Sequence, residues 1–120
     1  MNATDKKALV WMKKYLRYCD YIGAAQLYLK ENFELKEKLV PELIKERILG
    51  HWGTVPGRNF IYANLNYLVW KHQCEMLLVT GPGHGAPAIL ANLFAEKTLG
   101  DFYPGFQRDG KGMGRLIHDF

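Results

Sequence analysis

Met76-Leu77-Leu78-Val79, preceded by Glu75 and followed by Thr80-Gly81-Pro82-Gly83-His84-Gly85, is the stretch on which the fold turns. A continuous apolar run bounded by a charge and a Gly-Pro-Gly turn reads as a strand covered on both faces, and such strands suggest a parallel sheet. After it, Ala86 to Leu99 has helical character, with Pro87 acceptable in a first turn and Ile89, Leu90, Leu93 and Phe94 as the buried face. Before it, Phe60, Ile61, Leu65, Leu68 and Val69 recur at helical intervals and predict a helix from about Asn59 to Lys71. Helix, strand, glycine loop and helix in that order predict an α/β fold, a partial parallel sheet that is helix-rich in this segment.

Further out, Leu9, Val10, Met12, Leu16, Ile22, Ala25 and Leu29 predict a helix from Lys6 to about Leu29, with Thr4 or Asp5 as N-cap and Gly23 as a candidate bend. Asn32 to Val40 reads as a charged connection, and Pro41 opens a short helix through Leu49 that Gly50 stops. Gly100 to Gly114 is rich in glycine and aromatics, and Met113 to Phe120 begins another helix. No repeat, low-complexity tract or interdomain linker is visible, so residues 1–120 read as one small unit.

Composition narrows the function classes. The chain of 120 residues is 48% hydrophobic, enough to fold only if most apolar residues face a core. No apolar run approaches the roughly 18 residues of a membrane span, and MNATDKKALVWMKKYL lacks the apolar core and cleavage site of a secretory signal. These features predict a cytoplasmic protein without membrane partners. The net charge of +4 forms no single-sign stripe, because the lysines of the first third alternate with Asp5, Asp20, Glu31, Glu34, Glu37, Glu42 and Glu46, which argues against nucleic acid while leaving phosphorylated small molecules compatible. Cys19 and Cys74 have no paired spacing and read as buried reduced thiols; His72 and Cys74 lack companions for a metal set, so no metal site is assigned.

Two histidines fenced by glycines stand apart: His51 in Gly50-His51-Trp52-Gly53-Thr54-Val55-Pro56-Gly57, and His84 in the loop after the expected strand. Glycine admits a sharp turn or a close ligand, and histidine moves a proton near neutral pH. In an open α/β sheet, ligands gather at the carboxyl ends of strands, and a helix starting there favours an anion. A tight turn with an incidental histidine is the plain alternative, and Trp52 beside His51 could simply cap a core. Neither loop contains serine, and both cysteines lie elsewhere, which argues against an acyl-enzyme hydrolase. His118 reads as a surface residue.

GHWGTVPGRNFIYANLN and VTGPGHGAPAILAN resemble the amino-terminal region of phosphoketolases, and YCDYIGAAQLYLKEN and FYPGFQRDGKGMGRLIHDF are similar to that region's flanks. The resemblance implies an incomplete domain, the amino-terminal part of a thiamine-diphosphate-binding domain of the transketolase kind. It implies cleavage of ketose phosphates, xylulose 5-phosphate or fructose 6-phosphate, with inorganic phosphate to acetyl phosphate and an aldose phosphate. It further implies thiamine diphosphate and magnesium, with the magnesium ligands and the cofactor-activating acid outside this chain. The partners implied are the remaining phosphoketolase domains, in a homodimer or higher oligomer.

By the same resemblance, His51 and His84 are catalytic: His51 near the substrate hydroxyls, His84 reaching the cofactor diphosphate. Thr54 and the backbone of Gly81 and Gly83 are further candidate contacts to diphosphate or phosphate. Three positions depart from the family pattern. Arg58 stands where an aliphatic residue is expected, and Ala86 and Ala88 replace glycines, which would matter if either needs positive φ. A truncated, non-catalytic chain that binds phosphorylated ligands or a full-length subunit is the other function class.

Overall fold

A computed structural model describes residues 3–81 and 83–120. Among these residues five α-helices, α1 (Ala3–Tyr28), α2 (Val55–His72), α3 (Ala86–Ala95), α4 (Thr98–Phe102) and α5 (Gly110–Asp119), form one packed unit around α1. Tyr15, Cys19 and Ile22 of α1 meet Ala63 of α2, Ala91 and Phe94 of α3, Leu99 of α4 and Leu116 of α5 in the main core.

The expected parallel sheet is absent among the described residues, which are helical with one isolated antiparallel bridge, Leu29 to Ile44. Met76 to Val79 is extended but unpaired. Its side chains alternate: Met76 and Leu78 line a groove against Leu65, Val69, Ile89 and Leu93, while Leu77 and Val79 are 91% and 81% exposed. An apolar run four residues long does not itself carry the hydrogen-bonding neighbour that a sheet requires, and no other described segment lies beside it as a strand. The α/β expectation is therefore corrected to an all-helical fold. Pro82, within the expected turn, lies outside the described residues.

Helix α1 begins earlier than expected and runs unbroken through Gly23. Thr4 and Asp5 fall in its first turn rather than at the cap. Gly23 serves contact, since a Cβ there would stand 2.6 Å from Val55 Cγ1. The helix expected over Pro41–Leu49 shrinks to a 3-10 turn, Pro41–Leu43, because the backbone then bonds to the end of α1: Lys30 N donates to Leu43 O and Lys45 N to Tyr28 O, at 3.0 and 2.9 Å. Helix α2 starts at Val55, with Pro56 in its first turn.

The helix expected over Ala86–Leu99 divides at Lys97, whose φ of 75° is left-handed. The break is sealed by Arg108 Nη1 donating to Ala95 O at 2.7 Å. The most buried face of α3 is turned from the expected one and built mainly of small residues: Pro87, Ala88, Ala91, Asn92, Phe94 and Ala95 are buried, with Ile89, Leu90 and Leu93 half-buried. Ala88 and Ala91 let α1 approach closely. Helix α5 starts at Gly110 because the Asp109 carboxylate accepts from Gly112 N at 2.7 Å.

A buried polar chain joins the three central helices. Tyr15 Oη donates to Asn92 Oδ1 at 2.8 Å, Asn92 Nδ2 donates to Asn59 Oδ1 at 2.7 Å, and Asn59 Nδ2 donates to Asp20 Oδ1 at 2.7 Å. Asn59 and Asn92 are fully buried, so each bond replaces one that water would have made. Burial pushes the Tyr15 phenol well above its ordinary range. No helix among the described residues is long and apolar enough to cross a membrane.

Candidate functional site

The loops bearing the two histidines lead into neighbouring helices, His51 before α2 and His84 before α3. A backbone hydrogen bond ties them, His51 N donating to His84 O at 2.9 Å. Gly50 makes this approach feasible in two ways. Its φ of +96° is in the region that favours glycine, and a Cβ there would lie 2.9 Å from Leu27 Cδ2 and 3.1 Å from His84 O.

The imidazoles consequently meet, with ring centroids 5.7 Å apart and planes at 79°. The His51 ring rests on Gly53, where a Cβ would be 2.6 Å from Cε1. Both histidines are exposed. Two imidazoles thus share one surface. Trp52 does not cap a core; it is exposed in the 3-10 turn Trp52–Thr54.

Thr54 Oγ1 donates back to His51 O at 3.1 Å, so its proton is spent holding the His51 turn. Gly81 and Gly83 lie in the other loop, and a Cβ at either would meet nothing within 4 Å, which leaves their backbone open to solvent. Ala86 and Ala88 sit in the first turn of α3 without positive φ, so alanine brings no strain there. His118 is exposed beside Asp119 at 3.0 Å. Cys19 is buried and Cys74 half-buried, both free. Among the described residues no group of three or more His, Cys, Asp or Glu side chains could hold a metal ion.

Arg58 is the residue that sequence reasoning did not assign to the site. Its guanidinium lies on Gly85, the residue after His84, where a Cβ would be 2.5 Å from Cζ. The available signal was Pro56: a helix that begins at Val55 brings Arg58 into its first turns, next to the loops, whereas a helix from Asn59 leaves it in a connection.

Residues 3–120 match the XFP N-terminal domain family. The chain is similar to a probable phosphoketolase of Brucella abortus (strain 2308), 44% identical over 109 residues, which are 91% of this chain and 14% of that protein. It is 45% identical over 109 residues to probable phosphoketolase 2 of Rhizobium meliloti (strain 1021), with the same coverage of 91% and 14%. A probable phosphoketolase of Nitrosospira multiformis is 48% identical over 106 residues, 88% of this chain and 13% of that protein. The chain therefore spans about one seventh of the length of these relatives, 13–14%. On a match running from residue 3 to residue 120, the chain belongs to the XFP N-terminal domain family, the amino-terminal region of phosphoketolases.

Proposed function

We propose that this chain supplies a histidine-bearing wall of a phosphoketolase active site. In the completed enzyme, xylulose 5-phosphate or fructose 6-phosphate is cleaved with inorganic phosphate to acetyl phosphate and an aldose phosphate, a cytoplasmic reaction of sugar phosphates. The observation that carries the reading is the His51–His84 pair, exposed and held by a backbone bond between two glycine loops.

The donor chemistry here fits the diphosphate of thiamine diphosphate. Imidazole N–H groups and the open backbone of Gly81 and Gly83 offer hydrogen bonds to phosphoryl oxygens without a side chain in the way. When bound, thiamine diphosphate supplies the carbon nucleophile that the reaction needs. In this reading His84 donates to a diphosphate oxygen, and His51 exchanges protons with the substrate hydroxyls. Thr54 keeps the His51 turn in place. The magnesium ligands belong to the remaining phosphoketolase domains, which complete the site in a homodimer or higher oligomer.

A chimera tests this reading: residues 1–120 replace the matching region of the Brucella abortus relative, and acetyl phosphate is measured with thiamine diphosphate, magnesium and phosphate supplied. The expected result is turnover in the chimera and none from the 120-residue chain alone. His51→Ala lowers turnover on the order of a hundredfold with cofactor affinity retained. His84→Ala weakens the cofactor about tenfold or more, the scale of a charge-assisted hydrogen bond, and His84→Asn retains more affinity. A chimera that folds and assembles but makes no acetyl phosphate refutes the catalytic reading in favour of a non-catalytic chain.

A further inference from the structure

We propose that Arg58 is a phosphate-binding residue of the histidine site, its guanidinium taking the phosphoryl oxygens of an anion held beside His51 and His84. The inference rests on the reading of those histidines as site residues and adds to it the charge that recognises the ligand.

The packing of Arg58 is specific. Around Gly85, the three atoms that a Cβ would meet first all belong to the Arg58 guanidinium, with Cζ at 2.5 Å and Nε at 2.8 Å. The backbone of Gly85, at φ −94°, is open to any residue, so glycine is needed there for room and not for conformation. The room is occupied by Arg58. Its side chain is thereby held against the residue that links His84 to α3, instead of extending into water.

The electrostatics leave that charge unanswered. Among the described residues the Arg58 guanidinium has no hydrogen bond and no ion pair. Arg108 donates to Ala95 O and Arg115 pairs with Asp119, while Arg17 and Arg47 are exposed. Arg58 is half-buried, its guanidinium on Gly85, the residue that follows His84 and caps the positive end of the α3 dipole. A planar fork of N–H donors suits a tetrahedral phosphoryl group, which accepts two of them at once.

The ligand class is thus a phosphoryl anion, whether the diphosphate of the cofactor or the phosphate of the sugar. The test follows the histidine ring signals by nuclear magnetic resonance while the 120-residue chain is titrated separately with pyrophosphate, xylulose 5-phosphate and unphosphorylated xylulose. Both phosphorylated probes are expected to move the His51 and His84 signals, and xylulose is not. The tighter of the two identifies the source: pyrophosphate for the cofactor, the sugar phosphate for the substrate.

Arg58→Leu should weaken that binding about tenfold or more, with Arg58→Lys between the two because it keeps the charge but loses the fork. Gly85→Ala keeps the charge and displaces the guanidinium, so it should weaken binding in the native background and add nothing to Arg58→Leu. Circular dichroism checks that each variant is folded. Equal affinities in native and Arg58→Leu chains, with the histidine signals still moving, overturn the role of Arg58 and leave the histidine site standing. A Gly85→Ala effect that persists in the Arg58→Leu background also overturns it. So does the absence of any phosphoryl binding by the native chain, in which case the chimera still decides the histidine reading independently.

Discussion

Replacing Asn92 by leucine removes the central link of the buried polar chain at nearly constant volume. In the native chain, Asn92 Oδ1 accepts from Tyr15 Oη and its Nδ2 serves both Asn59 Oδ1 and Ala88 O. Ala88 O keeps its bond within α3, so Asn59 Oδ1 is orphaned and the Tyr15 hydroxyl is left with the Cys19 thiol, a weak partner. A buried orphan costs about 1–3 kcal/mol, and two would cost roughly 2–6 kcal/mol, an upper bound here because the thiol partly replaces the Tyr15 bond. That is a large part of the 5–15 kcal/mol or so that holds a typical domain together. Tyr15→Phe alone orphans only Asn92 Oδ1 and should cost about 1–3 kcal/mol. The double variant leaves only Asn59 Oδ1 without a partner, and it is therefore expected to be more stable than Asn92→Leu alone. Urea unfolding followed by circular dichroism at constant m-value measures all three. A double variant whose loss equals the sum of the single losses refutes the reasoning, because independent sites add and members of one network do not.

Gly23→Ala should destabilise the chain although alanine is worth about 1 kcal/mol more in a helix, because overpacking Val55 costs about 1–3 kcal/mol. In a Val55→Ala background the same change should turn stabilising by about 1 kcal/mol, and thermal unfolding that shows no reversal of sign would remove Val55 as the cause. Stability should also fall above pH 9. Burial pushes the Cys19 thiol from 9.0 up to about 12, so the unfolded chain loses this proton first, and the stabilisation present below pH 9 is lost as pH rises toward 12. The slope per group is about 1.4 kcal/mol per pH unit. It steepens above pH 10, because burial raises the Tyr15 and Tyr62 phenols in the same sense. Lys45, lowered by desolvation, acts in the opposite direction. Urea midpoints at pH 8, 9 and 10 should show Cys19→Ala with a flatter slope between pH 9 and 10, and identical slopes would exclude the thiol.

Helices α1 and α2 were legible because their apolar residues recur at the helical interval over long stretches. The two histidine loops were legible because glycines frame them. Four features were not legible, each for a physical reason. The run Met76–Val79 satisfies the local pattern of a buried strand, but pairing is a non-local property, and four side chains say nothing about a neighbour. The break at Lys97 depends on Arg108 reaching Ala95 O, a contact from beyond the break that no local propensity encodes. Arg58 was visible only as a departure from the family pattern, since its relation to Gly85 exists once the α2 start and the His84 loop are packed together. The meeting of His51 and His84 was not derivable from spacing either, although the glycines that permit it were.

The separation of the two histidines is set by helix packing as much as by the loops themselves. Asn59 lies four residues into α2 from Val55, and Asn92 six residues into α3 from Ala86, so their side-chain bond of 2.7 Å sits close behind both helix starts. Sliding one helix past the other by a single residue moves it about 1.5 Å along its axis, enough to break that bond. The same slide would pull His51 N from His84 O, now at 2.9 Å. The buried amides and the loop backbone bond therefore constrain one coordinate, the axial offset of α2 and α3. Both helices are in turn fixed to α1, through Val55 against Gly23 and through Tyr15 on Asn92. A polar residue such as Asn92, buried and out of reach of any ligand, thus contributes to the site by fixing where two imidazoles meet.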